Sequence, residues 1–418
     1  MRAQSNSDRG LFRSSLAALA ALGLALAAAA TPAAAARHGR RRPAPAAPAV
    51  ALSQIHVLGD RPAPFALDAH AAMMIDARSG AVLYAYNERE RMQPASLAKL
   101  MTFYLVLQAL QQHRITPETM VTVSEKAWRL SMDQSVSRMF LGVGQKVSVH
   151  DLLYGLMVSS GNDAAVALAE YLGGSTDGFT AQMNAEAKKL GLDDTHFENP
   201  DGLPMPGMYT TAADMVKLGR AITERFPDAR TYTSAKEFTF DKIRQPNFNS
   251  LLFYDSRVDG LKTGHVQEAG YHLVASAHAD GMYLISAVLG ASSSWARRTE
   301  TEKLIDWAFR TFASVQPDWH KALPAKMRVY CGAANEVAVA PAAVPYVTVE
   351  RGQQGKVGLQ GAFDANYLVA PVAQGQKVGT LALMVDGKAQ STIPVLAQGA
   401  VAPGGFFKRV IDRVRMRL

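Results

Sequence analysis

Three short groups of residues in this chain have the types and spacing for covalent chemistry. In Ser96-Leu97-Ala98-Lys99 a hydroxyl and an amine stand three residues apart, on one face of any helix that begins there. A serine hydroxyl is a poor nucleophile until a base takes its proton, and a lysine one turn away can be that base if its pKa is depressed. Ser160-Gly161-Asn162 follows 64 residues later and offers a second hydroxyl and a carboxamide. Lys262-Thr263-Gly264, a further 102 residues on, offers a cation, a hydroxyl and a glycine that lets a ligand approach the backbone. Each group alone has an ordinary structural use: a capped surface helix, a Gly/Asn helix end, a strand end with a solvated lysine. All three in this order are improbable as accident, and together they point to acyl transfer through an active-site serine.

Such groups act only if the chain brings them together. Residues 72–86 read as strand, turn and strand about Arg78-Ser79-Gly80. A helix is expected from Pro94 to about His113, with Leu97, Leu100, Met101, Tyr104 and Leu105 on a broad apolar face. Helical patterns recur over 150–159, 163–172, 178–190, 211–223 and 295–312. Strands return over 258–264, 271–277 and 282–289, the last two joined through Asp280-Gly281, a strong hairpin signal. Strands at both ends with helices between predict an α+β domain over 63–317 whose sheet joins distant segments. Gly- and Pro-punctuated β segments over 327–396, with a second such turn at Asp386-Gly387, predict a small all-β domain over 318–400. Ser96 and Lys99 then start a helix, Ser160 and Asn162 lie between two helices, and Lys262 and Thr263 lie on a strand.

Longer stretches around these groups resemble a known family. Gly80-Ala81-Val82-Leu83-Tyr84, Pro94-Ala95-Ser96-Leu97 with Lys99-Leu100-Met101-Thr102, Ser160-Gly161-Asn162-Asp163-Ala164-Ala165, and Val258-Asp259-Gly260-Leu261-Lys262-Thr263-Gly264-His265 look like the low-molecular-mass penicillin-binding proteins of peptidase group S11, the D-alanyl-D-alanine carboxypeptidases. The resemblance continues through Ala370-Pro371 and Lys377-Val378-Gly379 to Gly404-Gly405-Phe406-Phe407 and covers nearly all of residues 65–418. It implies a catalytic domain like those of serine β-lactamases and penicillin-binding proteins, an antiparallel sheet flanked by helices. It implies that Ser96 attacks the carbonyl between the terminal D-alanines of a peptidoglycan stem peptide, that Lys99 is the base, and that burial and the Lys262 cation keep Lys99 neutral. It further implies that Ser160 relays a proton to the departing amine, that Asn162 holds the substrate amide, and that Lys262 and Thr263 bind the terminal carboxylate beside Gly264. The backbone N–H groups of Ser96 and His265 would form the oxyanion hole. No metal or cofactor is implied, and β-lactams would be covalent inhibitors. The chain departs from the pattern in Asn247-Phe248-Asn249, where a basic residue is frequent between the asparagines, and in Ala98, where threonine is frequent; Gly161 stands where the broader S-D-N signature has Asp.

Two other readings of a serine acyl-enzyme compete. A β-lactamase would need a glutamate between the second and third groups; Glu198 lies in that interval but lacks the expected E-x-x-L-N context. A β-lactam-sensing protein would acylate and hardly turn over. A nucleic-acid role is excluded by where the charge sits. The net +8 comprises +6 in residues 1–42 and +4 in residues 405–418, which leaves −2 for residues 43–404.

The ends carry their own signals. Arginines, an uncharged apolar run over 16–30 and the small residues before Arg37 predict an export signal over 1–36, followed by an Arg/Pro/Ala-rich linker over 37–62. Residues 401–418 predict an amphipathic helix, with Phe406, Phe407, Val410, Ile411, Val414 and Leu418 opposite Lys408, Arg409, Asp412 and Arg415, suited to lie on an anionic membrane surface. The expected location is therefore the periplasmic face of the inner membrane. Cys331 is the only cysteine, so no intrachain disulfide forms and stability must come from core burial.

Overall fold

The computed structural model, which describes residues 56–59 and 63–417, joins the strands from both ends of the first expected domain into one sheet. In chain order come β1 (His56–Val57), β2 (Ala71–Asp76), β3 (Val82–Tyr86) and helix α1 (Lys99–Gln111). A mainly helical stretch follows: β4 (Met120–Thr122), α2 (Glu125–Met132), β5 (Lys146–Ser148), α3 (Val149–Met157), α4 (Asn162–Gly173), α5 (Thr176–Lys189), α6 (Ala212–Arg225), α7 (Arg230–Thr233), the hairpin β6 (Glu237–Phe240) and β7 (Ile243–Pro246), and α8 (Leu251–Tyr254). The chain then returns to the sheet with β8 (Val258–Val266), β9 (Gly270–Ala279) and β10 (Met282–Ala291), and covers it with α9 (Ser294–Thr311). The order is β1-β3-β2-β10-β9-β8, antiparallel throughout, so β8 is an outermost strand.

Period-two alternation decides how this sheet is covered. Ala71 and Ile75 of β2, with Ile285, Ala287 and Leu289 of β10, join a core with α1, α3, α4 and α6. Ala72 and Met74, with Leu284 and Val288, point to the other face, where Leu304, Ile305, Trp307 and Ala308 of α9 cover them. Helix α1 runs through the first core with ten residues from Lys99 to Ala109 buried, apolar nearly all round as a central helix must be. Ser124, Ser148, Ser175, Thr211 and Ser293 cap α2, α3, α5, α6 and α9 by accepting a backbone N–H, each contributing about 1 kcal/mol. At the Asp280-Gly281 and Asp386-Gly387 turns both residues have positive φ, as the hairpin signal requires.

After β11 (Phe312–Val315) the second domain holds β12 (Lys326–Tyr330), β13 (Glu336–Pro341), β14 (Val347–Glu350), β15 (Val357–Phe363), β16 (Leu368–Val369), β17 (Lys377–Val385) and β18 (Lys388–Ala397), then α10 (Phe406–Arg415). Six of these strands form one sheet around Val329, Val339, Leu381 and Val395. Strand β11 continues directly from α9 and pairs with β14, so the two domains share a seam. Along it Thr348 Oγ1 donates to Asp76 at 2.7 Å, Arg78 donates to Tyr346 OH at 2.9 Å, and Arg351 bridges Asp280 and the Phe309 carbonyl.

The structure differs from the sequence reading in several places. His56–Val57, inside the expected linker, pairs with β3 and buries Val57, because the edge of β3 offers it a partner. The expected export signal and the rest of the linker lie outside the described residues, as does Leu418. The helix expected from Pro94 begins as a 3-10 turn, and Phe312 belongs to β11 rather than to the preceding helix. The polar face of the tail helix is not wholly turned to solvent. Asp412 is buried and accepts the Cys331 N–H at 2.8 Å, and Lys408 donates to Asn335, while Phe407 stays 80% exposed.

Candidate active site

Ser96 stands in a single 3-10 turn, Ala95–Ala98, immediately before α1. Two backbone segments clamp this turn too closely for side chains. A Cβ on Gly202 would lie 1.9 Å from the Ala95 carbonyl oxygen, and one on Gly264 would lie 3.1 Å from that of Pro94. Gly264 therefore lets β8 lie against the turn that carries Ser96, a packing need distinct from ligand access.

Lys99, the first residue of α1, is fully buried. Its Nζ is 3.0 Å from Ser96 Oγ and 2.5 Å from Asn162 Oδ1, and it also reaches the Asp201 carbonyl. Two of these partners can only accept, while the hydroxyl can also donate. A neutral amine has two N–H bonds for the two acceptors and one lone pair left for the Ser96 O–H, which is the arrangement a base needs. Burial lowers its pKa to about 8, against the opposing pull of Asp201 and Asp163. The main cause is thus burial, not the Lys262 cation expected to share the task. Lys262 is itself held well below its usual value, by burial first and then by Lys99 and Arg297.

A cleft of about 540 Å3 opens over the serine, and Ser160, Asn162, Thr263, Gly264 and His265 line it with Ser96. Ser160 has φ of +56°, a left-handed conformation that a non-glycine residue adopts at some cost, and is nearly buried. Asn162 opens α4, and its N–H donates to the Ser137 carbonyl at 2.9 Å. Lys99 and Lys262 lie beneath the lining; Lys262 Nζ donates to the carbonyl of Thr263 at 3.2 Å. The imidazole of His265 stacks on Tyr271 with ring centroids 4.0 Å apart.

Sequence reasoning missed four contributors. Arg297, in the first turn of α9, lines the cleft, donates to the Phe248 carbonyl and lies over the Tyr271 ring. Burial lowers its pKa to about 10, so it remains a cation at neutral pH. It lies beside Phe248, and nothing in its local sequence separates it from Arg298. Asp201 faces Lys99 and has its pKa raised by burial. The segment Ser135–Ser137 walls the cleft because Asp163, buried beside the second group, accepts the backbone N–H groups of Met139 and Leu141 and the hydroxyl of Ser131. His272 accepts the Gly290 N–H at Nδ1, so its Nε2–H donates to Gln93 and ties β9 to the segment before Ser96. Burial pushes that imidazole down to about 4.

Glu198, the residue a β-lactamase reading would use, pairs with His196 at 3.2 Å and is not part of the cleft lining. Among the described residues no group of three or more His, Cys, Asp and Glu side chains is placed to hold a metal ion.

The family model described as D-alanyl-D-alanine carboxypeptidase, Peptidase_S11, matches residues 59–293, and that described as penicillin-binding protein 5, C-terminal domain, matches residues 316–403. The chain is 43% identical over 354 residues to the D-alanyl-D-alanine carboxypeptidase DacC of Escherichia coli K12, covering 84% of this chain and 88% of that protein. To DacA of the same organism it is 37% identical over 353 residues, with the same coverage. The crystal structure of penicillin-binding protein 5 from Haemophilus influenzae superposes with a TM-score of 0.73 at 38% identity, covering 81% of this chain and 99% of that one.

Proposed function

Because the chain belongs to peptidase family S11, the D-alanyl-D-alanine carboxypeptidases, we propose that Ser96 and Lys99 are the nucleophile and base with which it removes the terminal D-alanine of peptidoglycan stem peptides. It is a serine-type D-Ala-D-Ala carboxypeptidase and a penicillin-binding protein. The observation that carries the residue assignment is the buried Lys99 amine, with two acceptors to occupy its N–H bonds and the Ser96 hydroxyl at 3.0 Å.

Ser96 Oγ attacks the penultimate carbonyl as Lys99 takes its proton. The oxyanion forms against the backbone N–H groups of Ser96 and His265, a contact whose loss costs on the order of 10²- to 10³-fold in rate. Ser160 passes the proton to the departing amine, D-alanine leaves, and water then attacks the ester with Lys99 again as base. Asn162 is divided between Lys99, through Oδ1, and the substrate amide. Thr263 and Arg297 hold the terminal carboxylate, with Lys262 behind them. The arriving carboxylate favours the ammonium form of Lys262, which burial otherwise disfavours, because an opposite charge stabilises it. This requirement for a free carboxylate selects chain ends.

The substrate places the enzyme outside the cytoplasm. Residues 1–36 act as the export signal and 37–62 largely as a spacer; the catalytic domain spans 63–317 and the β domain 318–400. Helix α10 holds the molecule to the membrane surface on the periplasmic side, a reading supported by five apolar side chains of α10 that are all exposed. Among the described residues no helix is long and apolar enough to cross a membrane.

Incubation of purified protein with a pentapeptide ending in D-Ala-D-Ala tests this reading. D-alanine is released, and Ser96→Ala lowers the rate at least about 10³-fold. Penicillin labelling of Ser96 without release of D-alanine would leave a β-lactam sensor instead, and faster hydrolysis of nitrocefin than of peptide would favour a β-lactamase.

A further inference from the structure

Beyond Phe248 the catalytic cleft continues into a second one of about 530 Å3, which removal of D-alanine does not need. The two share Ser135, Val136, Ser137 and Phe248 as walls. Phe140, Ile243 and Phe248 give the second cleft an apolar lining, each exposed over more than a third of its surface. Arg138 and Arg244 also line it, and no carboxylate does. Phe140 has φ of +71°, a rare conformation for an aromatic residue, and its ring lies 4.9 Å from the Arg138 guanidinium. Arg138 Nε and Gln245 Nε2 are buried donors without a hydrogen-bond partner.

The position of this cleft identifies the end of the substrate it serves. Ser159 lines it, next to the Ser160 that protonates the departing amine. The Phe248 carbonyl accepts from Arg297, the cation of the carboxylate subsite. The carbon that carries the amine, the carboxylate and the side chain of the terminal residue therefore lies at the mouth of this cleft, and an alanine methyl reaches little of it.

We propose that the second cleft is a subsite for the side chain of the residue beyond the scissile bond, and that it accepts a large apolar D-amino acid such as D-phenylalanine. The inference rests on the carboxypeptidase reading of Ser96. The bond changes are those of D-alanine removal: the amide C–N bond breaks, the Ser96 ester forms, the amine carries away the proton, and water cleaves the ester.

The test compares two pentapeptides that differ only in ending in D-Ala-D-Ala or D-Ala-D-Phe, with the released amino acid measured in each. The expected ratio of kcat/KM, D-Phe to D-Ala, is one or more in the wild type. Phe140→Ala should lower that ratio about ten-fold, since a hydrophobic wall discriminates at this level. Ile243→Ser reads the same ratio should Phe140→Ala fail to fold, and penicillin labelling of Ser96 reports folding in both. A wild-type ratio below one, or one that both folded variants leave unchanged, overturns the proposal. Cleavage of neither peptide overturns the carboxypeptidase reading along with it, so the two failures are told apart.

Discussion

Lys99 is the proposed base, and its proton is held by opposed forces. Burial drives the ammonium toward the neutral amine, while Asp201 and Asp163 draw it back and leave the pKa at about 8. Acylation should then rise with pH through about 8 as the base becomes free. Removing the Asp201 charge weakens the ammonium, so Asp201→Asn should move this rise to lower pH. Rates of penicillin labelling between pH 5 and 10 check the sign, and a shift to higher pH would count against it. The same shift costs stability: below about 8 the folded state must hold a buried ammonium, and the cost is relieved as pH rises from there toward 10.5, where the unfolded chain also loses the proton. The types and spacing of Ser96, Lys99, Ser160 and Asn162 were readable in the sequence because helices and strands convert spacing into position. The surroundings of Lys99 were not, since its acidic neighbours arrive from 64 and 102 residues away.

At the scale of elements, long amphipathic helices and Asp-Gly hairpins were legible, and short pieces were not. Helices α7 and α8 have four residues each, too few for a 3.6-residue period to register. The hairpin β6–β7 was missed, and with it the wall of the second cleft. The tail was half legible: its apolar stripe could be read, but not the use of Asp412 as a docking group, because its partner Cys331 is distant in sequence. The bond from Lys408, and then the Cys331 N–H, hold the Asp412 carboxyl below its ordinary range. That stabilisation is present above the ordinary carboxylate pKa and is lost as pH falls through the lowered value. Asp412→Ala should release α10, raising hydrogen exchange across Phe406–Arg415 at least about ten-fold while the rate of Ser96 labelling stays the same. Unchanged exchange would show that the helix is held by something else.

On the scale of the whole molecule, the seam between the domains couples their stabilities. Thr348 Oγ1 donates to the fully buried carboxylate of Asp76 and lies 2.5 Å from Ser79 Oγ. Thr348→Val leaves that carboxylate short of a donor, at a cost of about 1–3 kcal/mol. Thermal unfolding should therefore show one transition in the wild type and a lower Tm in the variant; an unaltered Tm would mean that the seam carries little. Sequence reading placed the domain change near Pro317 from composition but had no signal for this seam, which depends on single hydroxyls and on β11 meeting β14. The sheet itself ends at β8, which among the described residues pairs with β9 and gives Thr263, Gly264, His265 and Val266 to the cleft lining. That outer edge is a position where a further strand can add. A peptide that fills it is read through its own backbone, as in strand addition, so discrimination falls on its main-chain amides and every second side chain is free to vary.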